Sequence, residues 1–173
     1  MLRLAAYLEG HGVGSCRVES PVPGVVLIDV SLVGEEFPVP LHWRAGDWSK
    51  PPLDVSLRPD GRVAGFQFVL QDESVPEEGV TAQRQVSWAG TPVFVVDGWP
   101  ADRYRDERLV VSAVRSLSGE LVLRLGDAGP VLEWGEVSAG LLFGFAGDRL
   151  VEIVVGLLDA DDWASVGAFS LGS

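Results

Sequence analysis

The chain is short of several residue types, and each shortage removes a class of explanation. It has one cysteine, Cys16, in 173 residues. An intramolecular disulfide framework and a multi-cysteine zinc site are therefore both excluded. Histidine occurs twice, as His11 and His42, so any catalytic triad would have to use one of them. There is no asparagine, and Lys50 is the single lysine beside twelve arginines. Tight turns must then be made by Gly, Asp and Pro, because Asn-Gly is not to hand. Positive charge is scarce: 13 basic against 25 acidic residues give a net charge of −12. A general nucleic-acid binder needs a basic face to release phosphate counterions, and docking on an anionic membrane needs the same. Neither partner is expected. Long apolar runs are also missing. No stretch reaches the roughly 18 residues needed to span a bilayer, since Asp29, Asp148 and Glu152 interrupt the longest candidates. Residues 1–10 place Arg3 and Glu9 about a short apolar stretch without a signal-peptide pattern, and a cytoplasmic location is expected by default.

What is present describes a folded, β-rich chain. Hydrophobic residues make up 47% and charged residues 22%, with mean hydropathy +0.23. That is too apolar for a disordered chain and enough to bury a core without staples. No linker-like stretch divides the sequence, so residues 1–173 read as a single domain.

Local pattern gives the elements. Met1–Leu8 is nearly all apolar and ends at Gly10, which predicts a short N-terminal helix, with a strand as the rival reading. Residues 13–19 and 24–33 read as strands. Residues 37–52 hold His42, Trp43 and Trp48 among prolines, which predicts loop or edge structure because proline cannot donate to a ladder. Leu53, Val55 and Leu57 alternate, then Arg58-Pro59-Asp60-Gly61 leads to Val63, Phe66, Phe68 and Leu70. Proline presets the first turn angle and glycine accepts the left-handed position, so this is a hairpin with a type I turn and a glycine bulge. Residues 81–88 and 92–97 read as a further strand pair joined through Ala89-Gly90, and 99–108 as a polar segment with a helical turn. From Leu109 five apolar runs, 109–117, 120–125, 131–136, 141–145 and 149–158, alternate with turns, and Asp159 is placed to cap a last helical turn. The expected fold is mainly β, an antiparallel sandwich or barrel-like meander of about 9–11 strands. The hairpin within 53–72 has a weak echo within 141–159, each being strand, tight turn, arginine, strand, which raises a duplication.

Few motifs carry chemistry. Gly10-His11-Gly12-Val13-Gly14 lacks the dinucleotide spacing, and Pro21 and Pro23 block the helix that would hold a pyrophosphate. No G-K-[ST] and no G-x-S-x-G occurs. His11 and Cys16 fall on opposite faces of a strand. His42 has Asp47 nearby, but a lone histidine in a proline-rich loop is more often packed or solvated. Asp159, Asp161 and Asp162 lack the remaining positions of a calcium loop and suit a helix start. No catalytic residue, metal site or cofactor is expected.

The acidic surplus is spread over the chain, net −5 in residues 1–86 and −7 in 87–173, so it belongs to the folded surface. It clusters at Glu35-Glu36, Asp72-Glu73-Glu77-Glu78 and Asp159-Asp161-Asp162. Such charge keeps a chain soluble, and it steers association with a basic partner. Six tryptophans suggest aromatic surface beyond core needs, for a partner or a homodimer. Small intracellular inhibitors of toxic bacterial effectors, the immunity proteins, are similar in charge, size and lack of catalytic motif. The leading expectation is an acidic binding protein that neutralises or chaperones a basic protein. Asp72, Glu73, Glu77 and Glu78 would be its steering charges, and Trp99, Tyr104 and Arg105 its anchors. The alternative is a carrier of a small apolar ligand in a pocket lined by Trp43, Trp88, Phe94 and Trp134.

Overall fold

A computed structural model describes residues 1–10, 14–32, 39–71, 75–78, 84–127 and 129–167. These residues form fourteen strands and one short helix. Six strands make one mixed sheet: β2 (Ser15–Val22), β3 (Val25–Ser31), β6 (Val63–Gln71), β5 (Leu53–Leu57), β4 (Leu41–Gly46) and β9 (Tyr104–Arg108), in that order. Eight strands make the other: β1 (Leu4–Glu9), β8 (Val86–Phe94), β12 (Glu133–Ser138), β13 (Leu141–Ala146), β14 (Arg149–Val155), β11 (Leu121–Leu125), β10 (Val111–Ser116) and β7 (Glu77–Glu78). Most pairings are antiparallel, and β4/β9, β12/β8 and β10/β7 are parallel.

Alternation sets the layers. Along β5 the burial runs in step with sequence, Leu53, Val55 and Leu57 inward and Asp54 and Ser56 outward. The inward residues of both sheets join one apolar cluster that includes Ile28, Trp43, Phe66, Leu123, Phe143 and Ile153. Phe66 and Phe143 meet across the gap with ring centroids 6.4 Å apart. Each such side chain contributes about 1.5–3 kcal/mol by leaving water. The result is a sandwich and not a closed barrel.

The two sheets share a plan. β2 and β3 form a hairpin, and β4, β5 and β6 form a meander whose last strand docks on β3, giving the order β2-β3-β6-β5-β4. β10 to β14 repeat this as β10-β11-β14-β13-β12, with antiparallel neighbours throughout. Registers correspond as well. Val55 lies opposite Phe66 in the first unit, and Phe143 opposite Ile153 in the second. Each unit receives a parallel strand at its meander edge, β9 on β4 and β8 on β12. β1 lies beyond β8, in the sheet of the second unit.

Several expectations are corrected. The N-terminus forms β1 and not a helix; the helix is α1 (Ala160–Gly167) near the other end. Strand count exceeds the expected range, and the last five runs are not a simple meander because β11 pairs with β14 instead of β12. The proline-flanked segment contains β4, an interior strand: Pro40 precedes it and Pro51 and Pro52 follow it, so no ladder donor is lost. Residues 86–94 are one continuous strand through Gly90, and the expected helical turn in 99–108 gives way to β9. The Arg58–Gly61 turn forms as expected, with the Gly61 amide donating to the Arg58 carbonyl at 2.9 Å and Gly61 at φ +85°. Asp159 caps α1: its Oδ1 accepts from the Asp161 and Asp162 amides at 2.8 and 2.9 Å, and the Asp159 amide donates to the Asp162 carboxylate at 3.0 Å. His11, Glu35 and Glu36 lie outside the described residues.

Candidate partner-binding face

The sequence-predicted anchors meet at β9 but divide between its two sides. Arg105 and Trp99 serve the fold. The Arg105 guanidinium lies 4.2 Å from the Trp99 ring centroid and donates to the Gly98 carbonyl at 3.2 Å. The Trp99 indole N–H donates to the Arg103 carbonyl at 3.0 Å, and the His42 amide donates to the same carbonyl at 2.9 Å. Arg103 adopts φ +69° to present that carbonyl. Glu107, also on this side, accepts from the Trp43 indole at 2.9 Å and pairs with the Met1 amino group.

Tyr104 projects the other way, onto the outer face of the six-stranded sheet. Parallel pairing sets Tyr104 beside His42 and Asp106 beside Arg44. The His42 and Tyr104 rings stack at 5.0 Å. His42 Nδ1 lies 2.9 Å from Asp54 Oδ1 on β5. The Arg44 guanidinium donates twice to Asp106, at 2.7 and 2.9 Å, and lies 4.4 Å from the Tyr104 centroid and 5.6 Å from that of Trp48. Trp48 is 43% and Tyr104 42% exposed. Trp48 sits at φ +67°; with Arg103 it makes the only two left-handed residues other than glycine among the described residues. Each costs about 1–3 kcal/mol and persists only where its surroundings over-determine it. Asp47 anchors the Trp48 loop by accepting from the Ser49 amide and hydroxyl at 2.9 and 2.7 Å, and these hydrogen bonds hold its carboxyl below the usual range. Asp102 accepts from the Tyr104 amide at 3.2 Å. The face is thus a guanidinium held against two open rings, with Asp47, Asp54, Asp102 and Asp106 around it.

The remaining candidates lie elsewhere. Glu77 and Glu78 form β7 at the far edge of the eight-stranded sheet, and Asp72 and Glu73 fall outside the described residues. His42 pairs with Asp54 and not with Asp47, which is committed to Ser49. Burial, with Asp162 and Asp29 nearby, pushes the Cys16 thiol up to about 11, so it is not a ready thiolate. Among the described residues no three His, Cys, Asp or Glu converge on one point. The aromatics nominated for an apolar pocket are divided. Trp43 and Phe94 are in the inter-sheet core, Trp88 is buried against Tyr7, and Trp134 faces the other way with Leu142. An open groove of about 720 Å³ lies instead beside Leu53 and Phe68, with Asp47, Lys50 and Arg124 in its walls.

The expected aromatic surface is narrower than six tryptophans suggest. Trp43 and Trp88 are buried, while Trp99, Trp134 and Trp163 are half-buried beneath Arg105, Arg84 and Arg115. Trp48 is the exposed one. His42, Arg44, Trp48, Asp54 and Asp106 were not singled out by sequence as a group. Their signal was the alternation of Leu41, Trp43 and Ala45 with His42 and Arg44, hidden by the flanking prolines.

No protein-family model matches the chain, and no curated protein matches it. Among the described residues no helix is long and apolar enough to cross a membrane.

Proposed function

We propose that the chain is an acidic binding protein that neutralises or chaperones a basic protein partner in the cytoplasm, as an immunity-type inhibitor of a bacterial effector does. One observation carries the reading: Trp48, Tyr104 and Arg44 form an exposed aromatic–guanidinium stack on the outer face of a sheet, with four carboxylates nearby. Tyrosine and tryptophan are favoured anchors at protein interfaces, and carboxylates around them steer a basic partner and reject acidic ones. An outward-facing stack on a sheet suits a macromolecule better than an enclosed small molecule. Backbone strain at Trp48 and Arg103, both bordering this face, fits a surface shaped for contact. Glu77 and Glu78 act at a distance as steering charge. The alternative, a carrier of a small apolar ligand, has less support because its four proposed aromatics lie on both sides of one sheet.

Capture from a bacterial lysate at low and high salt tests the reading. The wild-type chain is expected to retain a basic protein at low salt and release it as screening rises. Trp48→Ala and Tyr104→Ala should lose it while keeping the wild-type circular dichroism spectrum. Retention of the same proteins by both variants would remove this face from the interface.

A further inference from the structure

Arg44 occupies a position that its surroundings make into a receptor for an arginine side chain. Recognition of guanidinium needs a carboxylate fork in its plane and ring faces against its π surface. Both are assembled here before any partner arrives. Asp106 supplies the fork at 2.7 and 2.9 Å, and Tyr104 and Trp48 supply the rings at 4.4 and 5.6 Å. The supports are themselves fixed. Tyr104 is backed by His42, which Asp54 orients, and Trp48 is held by a strained backbone on a loop that Asp47 ties down. Yet the seat is open to solvent, since both rings are more than two-fifths exposed. The corresponding position in the second unit is Glu136, opposite Leu142 as Arg44 is opposite Asp54, so the shared backbone plan does not require a guanidinium here.

We propose that Arg44 is a placeholder, filling from within the same chain a seat that takes an arginine of the basic partner. The inference rests on the binding function proposed above and specifies its chemistry. Exchange of one guanidinium for another keeps the fork and the stacking, and the displaced Arg44 moves into water beside other carboxylates. A lysine ammonium is a point charge that reproduces neither the fork nor the planar stack. Arg44 therefore lowers the apparent affinity by the fraction of time it holds the seat, and the fork and rings of the seat select arginine over lysine.

Octa-arginine and octa-lysine peptides, titrated into wild type, Arg44→Ala and Arg44→Ala/Asp106→Asn with indole fluorescence as readout, test this. If Arg44 fills the seat about nine-tenths of the time, its removal tightens octa-arginine about tenfold. Octa-lysine should change by less than about twofold, which reports only the lost charge. The double variant should lose the gain. Arg44→Lys, which keeps the charge without the fork, should also tighten octa-arginine. An equal gain for both peptides, or unchanged or weaker octa-arginine binding by folded Arg44→Ala and Arg44→Lys, would overturn the placeholder. The partner reading fails separately, if wild type binds neither peptide at low salt.

Discussion

The outer faces of the two units share a backbone plan and differ in chemistry. In the first unit His42, Arg44, Asp54 and Ser56 point outward, polar and half-buried among one another. The corresponding residues of the second are Trp134, Glu136, Leu142 and Gly144. There the face is apolar: Trp134 and Leu142 pack with buried Val114, Val122 and Val154. Arg84 covers part of it, stacking on Trp134 at 5.3 Å and reaching Glu120 at 2.7 Å. An apolar outer face gains from cover, and Arg84 leaves Trp134 and Leu142 half-buried. A polar face stays hydrated without such a cover. The inner faces differ in a complementary way. Trp43 fills the core from β4, whereas its counterpart on β12 is Gly135, and a methyl group there would overlap the Trp88 ring. One unit fills the layer from its own strand, and the other from the strand beside it.

Substitutions in each unit separate the contributions of the two layers. Trp43→Ala removes a fully buried ring, and about 3–5 kcal/mol of unfolding free energy is expected to go with it in urea titration. Gly135→Val drives a side chain into Trp88 and should cost about 2–4 kcal/mol. A neutral result would mean that Trp88 is not confined and that the two layers are not equivalent. Reciprocal changes address the outer faces. Leu142→Asp puts a carboxylate against the apolar cluster, with an expected loss of about 2 kcal/mol, while Asp54→Leu on the polar face removes one hydrogen bond to His42 and should cost about 1 kcal/mol or less. Equal effects would abolish the distinction between apolar and polar faces.

Acid titration probes the Arg84–Glu120 pair beside the apolar face. Burial pushes the Glu120 carboxyl up, but hydrogen bonds from Arg84, Ser118 and Ser116 outweigh this and hold it below its ordinary value of 4.5. The folded state therefore binds its proton later than the unfolded chain. The stabilisation is fully present above the unfolded value and is lost as pH falls through the lowered folded one. Glu120→Gln should flatten the acid limb of the stability profile, and Arg84→Ala should reduce it in part. An unchanged limb in both would detach the cover from this ion pair.

Much of the fold was legible because burial imposes a period of two. Leu53–Leu70 and the five runs after Leu109 announced their strands, and Pro59 and Gly61 their turn. Strand order was not legible, since β11 has equally apolar partners available in β12 and β14 and only the closed sandwich decides between them. The echo between 53–72 and 141–159 falls on hairpins in corresponding places of the two sheets, β5–β6 and β13–β14. At the candidate face, Tyr104 was visible from its neighbours in sequence. Arg44, Asp54 and Asp106 were not, because their proximity arises only when β4 joins β5 on one side and β9 on the other.

Placement of the added strands ties the units together. β1 precedes the first unit but lies in the sheet of the second, and β9, which leads into the second, completes the sheet of the first. A chain cut between Asp97 and Gly98 would yield two pieces, each deprived of a border strand held by the other. Neither piece should be an independent module, and the circular dichroism spectrum of the intact chain should return only on mixing, as in fragment complementation.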